Sequence, residues 1–225
     1  MGKKGQENMN VKHPLPKVLV AVPCMGTIPV ETVRCLMALQ HSGAVVFQSQ
    51  SVIYEAREEI AKSAIEEGFD YILWLDSDMI FEPNVLGKLM ACKKDVVSGV
   101  YFKRVFPYTP VIYTPKKDKL EVYEDYPTHS GIFEIGACGF GCVLTKVSVI
   151  KAVMDKYGGA FFPIGGTISE DISFCMRARN LGYKIFCEPS VSCGHISQMT
   201  VTKEYYEQMR KAVKHAEEQS KRNDK

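Results

Sequence analysis

The chain has 225 residues, 46% of them hydrophobic and 24% charged, with a formal net charge of +2 and a sequence pI near 8.0. This length suits a single α/β domain with one sizeable core. The charge is too mild to require a nucleic-acid or membrane partner, because such partners are usually indicated by strongly clustered basic residues.

The N-terminal residues predict a polar tail and not a targeting segment. Residues 1–16 start with basic side chains but contain no apolar core of a signal peptide, and no run of about 18 apolar residues follows. Eight cysteines are present without a CxxC pair, and most lie in apolar segments: Cys24, Cys35, Cys92, Cys142, Cys175 and Cys187. We therefore expect a cytoplasmic protein with reduced cysteines.

Strands and helices alternate in the first half of the chain. Short β-branched and apolar runs predict strands at 17–23, 44–48, 71–76 and 95–102. Between them, helices are predicted from Pro29, from Tyr54 and from Pro83. The apolar residues at helical spacing in the first two helices are Val30, Val33, Leu36 and Met37, and Ile60, Ala61, Ala64 and Ile65. This alternation indicates a Rossmann-like, mostly parallel central sheet with helices on both faces.

The second half has a different character. Prolines, charges and short β segments in 108–125 predict a smaller antiparallel addition. Helices are expected at 147–157 and 169–182, a strand at 183–189, and between the helices a glycine-rich loop at 158–167 that could close over a substrate. The predicted organisation is a flexible tail at 1–16, one α/β domain at 17–202 and a charged C-terminal helix at 203–225.

Three glycines, Gly136, Gly139 and Gly141, lie within six residues of one another. Such spacing indicates that the backbone turns tightly or approaches another group closely. The register is not that of a GxGxxG dinucleotide site, and no helix opens immediately after it.

Two carboxylates, Asp76 and Asp78, follow directly on the apolar run YILWL. Ligands of open α/β sheets bind outside the carboxyl ends of the strands, so this pair is a candidate site. Two neighbouring carboxylates repel each other unless a cation lies between them, and a hard divalent ion with oxygen ligands would serve. Taken alone, the pair also suits a solvated Asx-type turn before Pro83.

The order of three motifs resembles the nucleotide-sugar-dependent glycosyltransferases of the GT-A fold, especially the family 2 type. The first is Asp76-Ser77-Asp78 at the end of a strand. The second is the acidic pair Glu170-Asp171, which opens a helix, and the third is His195, which follows the next strand. The resemblance covers about residues 17 to 197, and the order and spacing of the three parts are more specific than any one of them.

The resemblance implies a metal site and a donor site. Asp78 and His195 would ligate Mn²⁺ or Mg²⁺, while Asp76 would hold the ribose or support the metal through water. Imidazole nitrogen makes Mn²⁺ the more natural ion, because Mg²⁺ prefers an all-oxygen shell. The donor would be a nucleoside-diphosphate sugar, most naturally a UDP-sugar. His195 by itself would equally suit a hydrogen-bonded loop histidine.

In inverting members of the resembled family, the second acid of the later pair removes the proton of the acceptor hydroxyl. Asp171 is therefore the candidate general base, and Glu170 would position the acceptor or support the loop. Acidic residues are also favoured in the first turn of a helix, where they complement the helix dipole, so capping alone would explain the pair.

The end of the first predicted strand corresponds to the place where this fold receives the base of the nucleotide. The backbone at Pro23 and Cys24 is the candidate there, with Ser77 beside the metal pair. Arg57 resembles an arginine that precedes the metal strand in related enzymes and is often followed by Asn. Here Glu58 follows instead, and an exposed helical arginine paired with a glutamate is the alternative.

Three other functions compete with glycosyl transfer. A phosphatase-like fold also uses Asp-x-Asp, but on its first strand and with Thr or Val where this chain has Ile80. A nucleotidyltransferase would need a glycine-rich basic loop after the first strand, which the chain lacks. A non-catalytic nucleotide-sugar-binding or interaction module is the third. The sugar, the acceptor (glycan, protein, lipid or nucleic acid) and the oligomeric state stay open.

Overall fold

The structure, a computed structural model, describes residues 15–117, 119–128 and 131–223. The central sheet is built from seven strands: β1 (Val18–Cys24), β2 (Ala44–Ser49), β3 (Tyr71–Leu75), β5 (Val96–Val100), β8 (Phe133–Ile135), β10 (Cys142–Lys146) and β11 (Ile185–Ser192). The small strands are β4 (Met79–Ile80), β6 (Ile112–Lys116), β7 (Lys119–Val122), β9 (Ala137–Cys138) and β12 (Gly194–His195).

The central sheet is mixed, with the order β2-β1-β3-β10-β5-β11-β8. β1 pairs in parallel with both β2 and β3, and β5 pairs in parallel with β11. β10 runs antiparallel between β3 and β5, and β8 runs antiparallel at the edge beside β11. The mostly parallel α/β sheet predicted from the alternation of strands and helices is confirmed.

Helices cover both faces of this sheet. They are α1 (Val30–Ala38), α2 (Ile53–Glu66), α3 (Val85–Ala91), α4 (Val147–Tyr157), α5 (Glu170–Asn180) and α6 (Lys203–Asn223), with a short 3₁₀ turn at Ile164–Gly166. The buried side chains form two clusters, one containing residues of α2, α4 and α5 and the other residues of α1 and α3. Successive residues of β3 alternate between them: Ile72 and Trp74 join the first, Leu73 and Leu75 the second.

The first helix buries only part of the face predicted for it. Thr32 and Leu36 are its buried residues, whereas Val30, Val33 and Met37 are exposed. Helical spacing of apolar residues predicted these three together with Leu36. The prediction is confirmed for Leu36 alone, because the position of α1 on the sheet selects Leu36 and, just beyond the helix, Leu39. The expected face of α2 is confirmed for Ile60, Ala61 and Ala64.

The antiparallel addition predicted at 108–125 is a hairpin of β6 and β7, extended by β9. Close approach explains all three clustered glycines, two of them through Tyr101. A Cβ on Gly139 would lie 2.0 Å from the hydroxyl oxygen of Tyr101, and one on Gly141 would lie 2.8 Å from the Tyr101 ring. Tyr101 therefore packs against bare backbone at the end of β5.

Within the described ranges, none of the helices combines the length and apolar character needed to cross a bilayer. The eight cysteines are free thiols. The predicted boundaries of tail, domain and C-terminal helix stay a prediction, and residues 1–14 lie outside the described part of the chain.

Candidate active site

A cleft of about 380 Å³ opens beyond the ends of β1 and β3. The nine site residues predicted from sequence all line it: Pro23, Cys24, Arg57, Asp76, Ser77, Asp78, Glu170, Asp171 and His195. Four further residues that sequence reasoning missed complete the lining: Met25, Thr27, Ile53 and Arg104. The structure thus brings together residues separated by up to 172 positions, although their roles stay predictions.

Pairing of two short strands places His195 beside Asp78. β12 pairs antiparallel with β4, so that His195 lies opposite Met79, and the N–H of Ile196 donates to the Asp78 carbonyl oxygen at 2.9 Å. The His195 Nε2 consequently lies 3.4 Å from the Asp78 Oδ1. This pairing, which follows directly on the turn at Asp76, is the local reason why the two residues meet.

The tautomer of His195 follows from its other nitrogen. Nδ1 lies 2.8 Å from the carbonyl oxygen of Phe102, which can only accept, so Nδ1 carries a proton and donates it. The Nε2 lone pair of a neutral ring then faces the Asp78 carboxylate, and this arrangement needs either a second proton or a cation between them. Burial lowers the pKa of His195, but the bonds to Asp78 and Phe102 outweigh it and raise the pKa overall.

Arg104 is a second cation at Asp78. Its Nη1 lies 2.6 Å from Asp78 Oδ2. Arg104 lies on the loop after β5, and its carbonyl oxygen accepts a hydrogen bond from the Ser197 hydroxyl. Burial of Asp78 disfavours its charged form, but His195 and then Arg104 outweigh burial and lower its pKa. Asp78 is therefore ionised throughout the neutral range.

Arg57 is buried, not exposed as the alternative from sequence had it. Only 2% of its surface is accessible, and its guanidinium lies near the rings of Trp74 and Phe140, at 5.5 and 5.4 Å from their centroids. Nη2 lies 2.6 Å from Asp76 Oδ1, and Nε lies 3.3 Å from Glu170 Oε1. Burial opposes the charge, yet Asp76 and Glu170 together raise the Arg57 pKa above its ordinary value. Arg57 therefore ties the end of β3 to the start of α5.

Glu58, the residue that follows Arg57, has a structural role in this chain. Its buried carboxylate accepts bonds from the backbone N–H groups of Ala160 and Phe161, each at 3.0 Å. This fixes the start of the loop expected to close over a substrate, where Ala160 and Phe161 are themselves fully buried. The expectation of a freely closing loop at 158–167 is thus wrong for its first half.

Asp171 lies at the start of α5, where it accepts bonds from the Ser169 hydroxyl and, at 2.7 Å, from the N–H of Ile172. It therefore satisfies a first-turn N–H, as a capping residue would. Burial and then the neighbouring Glu170 raise its pKa, against the lowering effects of Ser169, Ile172 and Arg57. A carboxylate with a raised pKa holds a proton more strongly, which is the property of a general base.

The cleft carries a net negative charge that suits a divalent cation. Four carboxylates face it, from Asp76, Asp78, Glu170 and Asp171, against two guanidiniums, so the balance is two negative charges with His195 neutral. Adjacent ligands of an octahedral ion are about 3 Å apart. The 3.4 Å between Asp78 Oδ1 and His195 Nε2 is close to this spacing, so these two residues fit such an ion.

Asp76 does not complete a three-residue metal cluster. Its Oδ1 is bonded to Arg57, and within residues 15–117, 119–128 and 131–223 no group of three or more His, Cys, Asp or Glu side chains is placed to hold a metal ion. The protein itself therefore presents a two-residue donor set, and a bound ion would need further ligands from substrate and water.

The fold defined by this sheet and its helices is GT-A-like. The crystal structure of A197 from STIV matches 80% of this chain and 85% of its own, with a TM-score of 0.60 and 19% identity. The crystal structure of GalNAc-T7 with UDP, GalNAc and Mn²⁺ matches 82% of this chain and 44% of its own, with a TM-score of 0.54 and 10% identity. No protein family and no curated protein matches the sequence.

Proposed function

We propose that the protein is a metal-dependent glycosyltransferase that moves a sugar from a nucleoside-diphosphate sugar to an acceptor hydroxyl. One observation carries this proposal: Asp76, Asp78, Asp171 and His195 meet in one cleft at the edge of a GT-A-like sheet. The likeness in fold to GalNAc-T7, solved with UDP, GalNAc and Mn²⁺, supports UDP as the nucleotide and Mn²⁺ as the ion.

The donor would lie between the ends of β1 and β3. Pro23 and Cys24 would contact the base through the backbone, with Met25, Thr27 and Ile53 as the remaining wall. Asp76 would accept from the ribose hydroxyls with its second oxygen, because Arg57 holds the first. Ser77 would bond the diphosphate from the turn between the two aspartates.

Asp78 and the Nε2 of His195 would hold the cation, with Mn²⁺ favoured over Mg²⁺ by the imidazole ligand. When bound, the ion supplies positive charge that stabilises the diphosphate as a leaving group. The bond from His195 Nδ1 to the Phe102 carbonyl keeps the Nε2 lone pair available for it. Arg104, which bonds Asp78 in this structure, would be free to contact a phosphate oxygen instead.

Asp171 would remove the proton of the acceptor hydroxyl, with inversion at the anomeric carbon. Ser169 and the Ile172 N–H hold its Oδ1, which leaves Oδ2 as the proton acceptor. Glu170 would keep this helix end in place through its bond to Arg57 and would also position the acceptor.

Donor hydrolysis tests the proposal without knowledge of the acceptor. The protein is incubated with Mn²⁺ and a panel of UDP- and GDP-sugars, and the release of nucleoside diphosphate is measured. We expect slow release from at least one donor, abolished by EDTA and lowered about 10²-fold by Asp78→Ala. Asp155→Asn, on the exposed end of α4, is the matched control. Tight UDP binding without any hydrolysis would indicate a binding module. The absence of both UDP binding and hydrolysis would refute the transferase and the binding module alike.

A further inference from the structure

A second and larger cavity lies beside the start of α5, outside the cleft. It measures about 580 Å³ and lies between the β6–β7 hairpin and one face of α5. We call it the hairpin groove, and define it by Tyr113, Leu120, Ile172, Met176, Lys117 and Arg179. None of its residues lines the cleft, so it is a separate feature of the surface.

The interior of the hairpin groove is apolar. Ile172 and Met176 are one turn apart on α5, and Leu120 faces them from the hairpin. Gly136 lets the hairpin lie close to the sheet, since a Cβ there would meet the Leu120 side chain at 2.6 Å. A concave apolar surface of this size matches an aromatic ring or a short aliphatic segment of a ligand.

The charged residues that line the groove within the described ranges are all basic. Lys117 and Lys119 stand on the hairpin and Arg179 on α5. Lys119 is bonded to Glu121 at 2.8 Å, whereas Lys117 and Arg179 have no carboxylate partner among the described residues. Asp118, between the two lysines, lies outside those residues. An apolar groove whose rim carries two cations without a carboxylate partner in the described part of the chain suits a ligand with an apolar body and an anionic group.

The groove adjoins the candidate base. Ile172 directly follows Asp171, and Ile168 lines the groove just before Ser169. Burial and then the charge of Asp171 raise the pKa of Tyr113, so the Tyr113 phenol at the groove wall is within electrostatic reach of that carboxylate. A molecule held in the groove therefore lies against Ile168 and Ile172, the residues that flank Ser169 and Asp171 at the start of α5.

From this geometry we infer that the hairpin groove binds the acceptor, and that the acceptor carries an apolar moiety and a carboxylate, sulfate or phosphate group. The inference rests on the proposed function only where it identifies the bound ligand as the acceptor of the transfer. The chemistry of the ligand rests only on the lining of the groove and would hold for any ligand bound there.

A fluorescent probe tests the ligand chemistry without any donor. 1-Anilinonaphthalene-8-sulfonate combines apolar rings with one anionic group, and N-phenyl-1-naphthylamine has the same rings without the sulfonate. We expect saturable binding of the sulfonate, weakened about tenfold by Arg179→Gln and abolished by Met176→Glu. Lys62→Gln, an exposed cation on α2, is the matched control and should bind like the parent.

Two results of this titration would overturn the inference. One is equal affinity of the parent protein for the sulfonate and the neutral amine. The other is unchanged sulfonate binding by Arg179→Gln and Met176→Glu, with circular dichroism showing both variants folded. If the probe fails to bind as expected while donor hydrolysis is observed, the groove proposal is refuted and the proposed transferase function stands. If the probe binds as expected but no donor is hydrolysed, the groove binds a ligand in a protein that is not a transferase.

An acceptor pair tests the connection to Asp171. With the donor that proves to be hydrolysed, 4-nitrophenyl glucuronide and 4-nitrophenyl glucoside are compared as acceptors, since they differ in a carboxylate. We expect kcat/KM to be about tenfold higher for the glucuronide than for the glucoside in the parent protein. In Arg179→Gln, we expect the two acceptors to have equal kcat/KM. An equal ratio in parent and variant would refute an anion-selective acceptor site.

Discussion

The Arg57 guanidinium and the Asp76 carboxylate form an ion pair at 2.6 Å in which Arg57 is almost fully buried and Asp76 is 27% exposed. Arg57 also bonds Glu170, so one side chain of α2 fixes an acidic residue from each half of the site. Its Nη1 is buried without a hydrogen-bond partner among the described residues, which makes the two carboxylates the main compensation for the buried charge.

Replacing Arg57 tests how far this residue holds the site together. Arg57→Met should lower the free energy of unfolding by about 3 kcal/mol, because it leaves two partly buried carboxylates without their cation. Urea denaturation measures the change. Arg34→Met, on the exposed face of α1, should alter stability by less than about 0.5 kcal/mol. A similar small effect for Arg57→Met would mean that solvent compensates Asp76 and Glu170.

Glu58 offers a separate test on the same helix. Glu58→Gln should cost about 2 kcal/mol in unfolding free energy, because the amide lacks the negative charge that strengthens the two bonds to Oε2, and its N–H₂ group replaces Oε1, which accepts from the Ala160 N–H at 3.3 Å. Glu59→Gln is the matched control, since Glu59 is exposed and its hydrogen bonds within the described ranges are those from Gln48 and Gln50. Equal thermal stability of the two variants would contradict a structural role for Glu58.

Much of the fold follows from local sequence. The alternation of β-branched runs with helical spacing is a short-range pattern, and it correctly predicted β1, β2, β3 and β5 as strands of one sheet. The insertion of β10 between β3 and β5 depends on pairing with residues about 70 positions distant, so no local pattern indicates it. The buried face of α1 was predicted correctly only at Leu36 for the same reason, because the spacing of apolar residues indicated Val30, Val33 and Met37 as strongly as Leu36.

The candidate site was likewise only partly visible in the sequence. Acidic residues and a histidine at strand ends are recognisable, because the carboxyl ends of parallel strands meet at one edge. Arg104 was missed although it follows β5 at that same edge. A basic residue after a strand that ends beside the two aspartates was the signal that could have indicated it. The burial of Arg57 could not be predicted, since it depends on Trp74 and Phe140 from other parts of the chain.

Arg104 and a bound cation would compete for Asp78. Arg104→Ala should strengthen Mn²⁺ binding in the absence of nucleotide by about threefold, a modest effect because Arg104 is 54% exposed. The same variant should weaken UDP binding in the presence of Mn²⁺, because a phosphate contact is lost. Calorimetric titrations with Mn²⁺ alone and with UDP measure the two changes. Weaker binding in both titrations would show that Arg104 supports Asp78 and does not compete for it.

The cysteines give a prediction about redox state. Titration of thiols in the unfolded, unreduced protein should find all eight, as the free cysteines of the structure indicate. Burial and then the charge of Glu188 raise the pKa of Cys92 to about 11, so this thiol should react slowly in the folded protein at neutral pH. Fewer than eight thiols after unfolding would reveal a disulfide and contradict the expectation of a reducing compartment.

The last prediction separates catalysis from capping at Asp171. Asp171→Asn keeps an oxygen for the Ile172 N–H, so a capping role predicts a loss of at most about 1 kcal/mol and little change in turnover. A base predicts turnover lowered about 10²-fold with donor affinity near normal. Glu207→Gln, an acid in the first half of α6, is the control.

The pH profile adds a readout that capping would not change. A base must be deprotonated, so turnover falls on the acid side as pH drops through the Asp171 pKa, which burial and Glu170 raise above that of an ordinary aspartate. The Ser169 hydroxyl lowers this pKa, and Ser169→Ala should therefore shift the acid limb of kcat to higher pH. An acid limb that stays in place in Ser169→Ala, together with near-normal turnover of Asp171→Asn, would assign Asp171 to helix capping and require another proton acceptor.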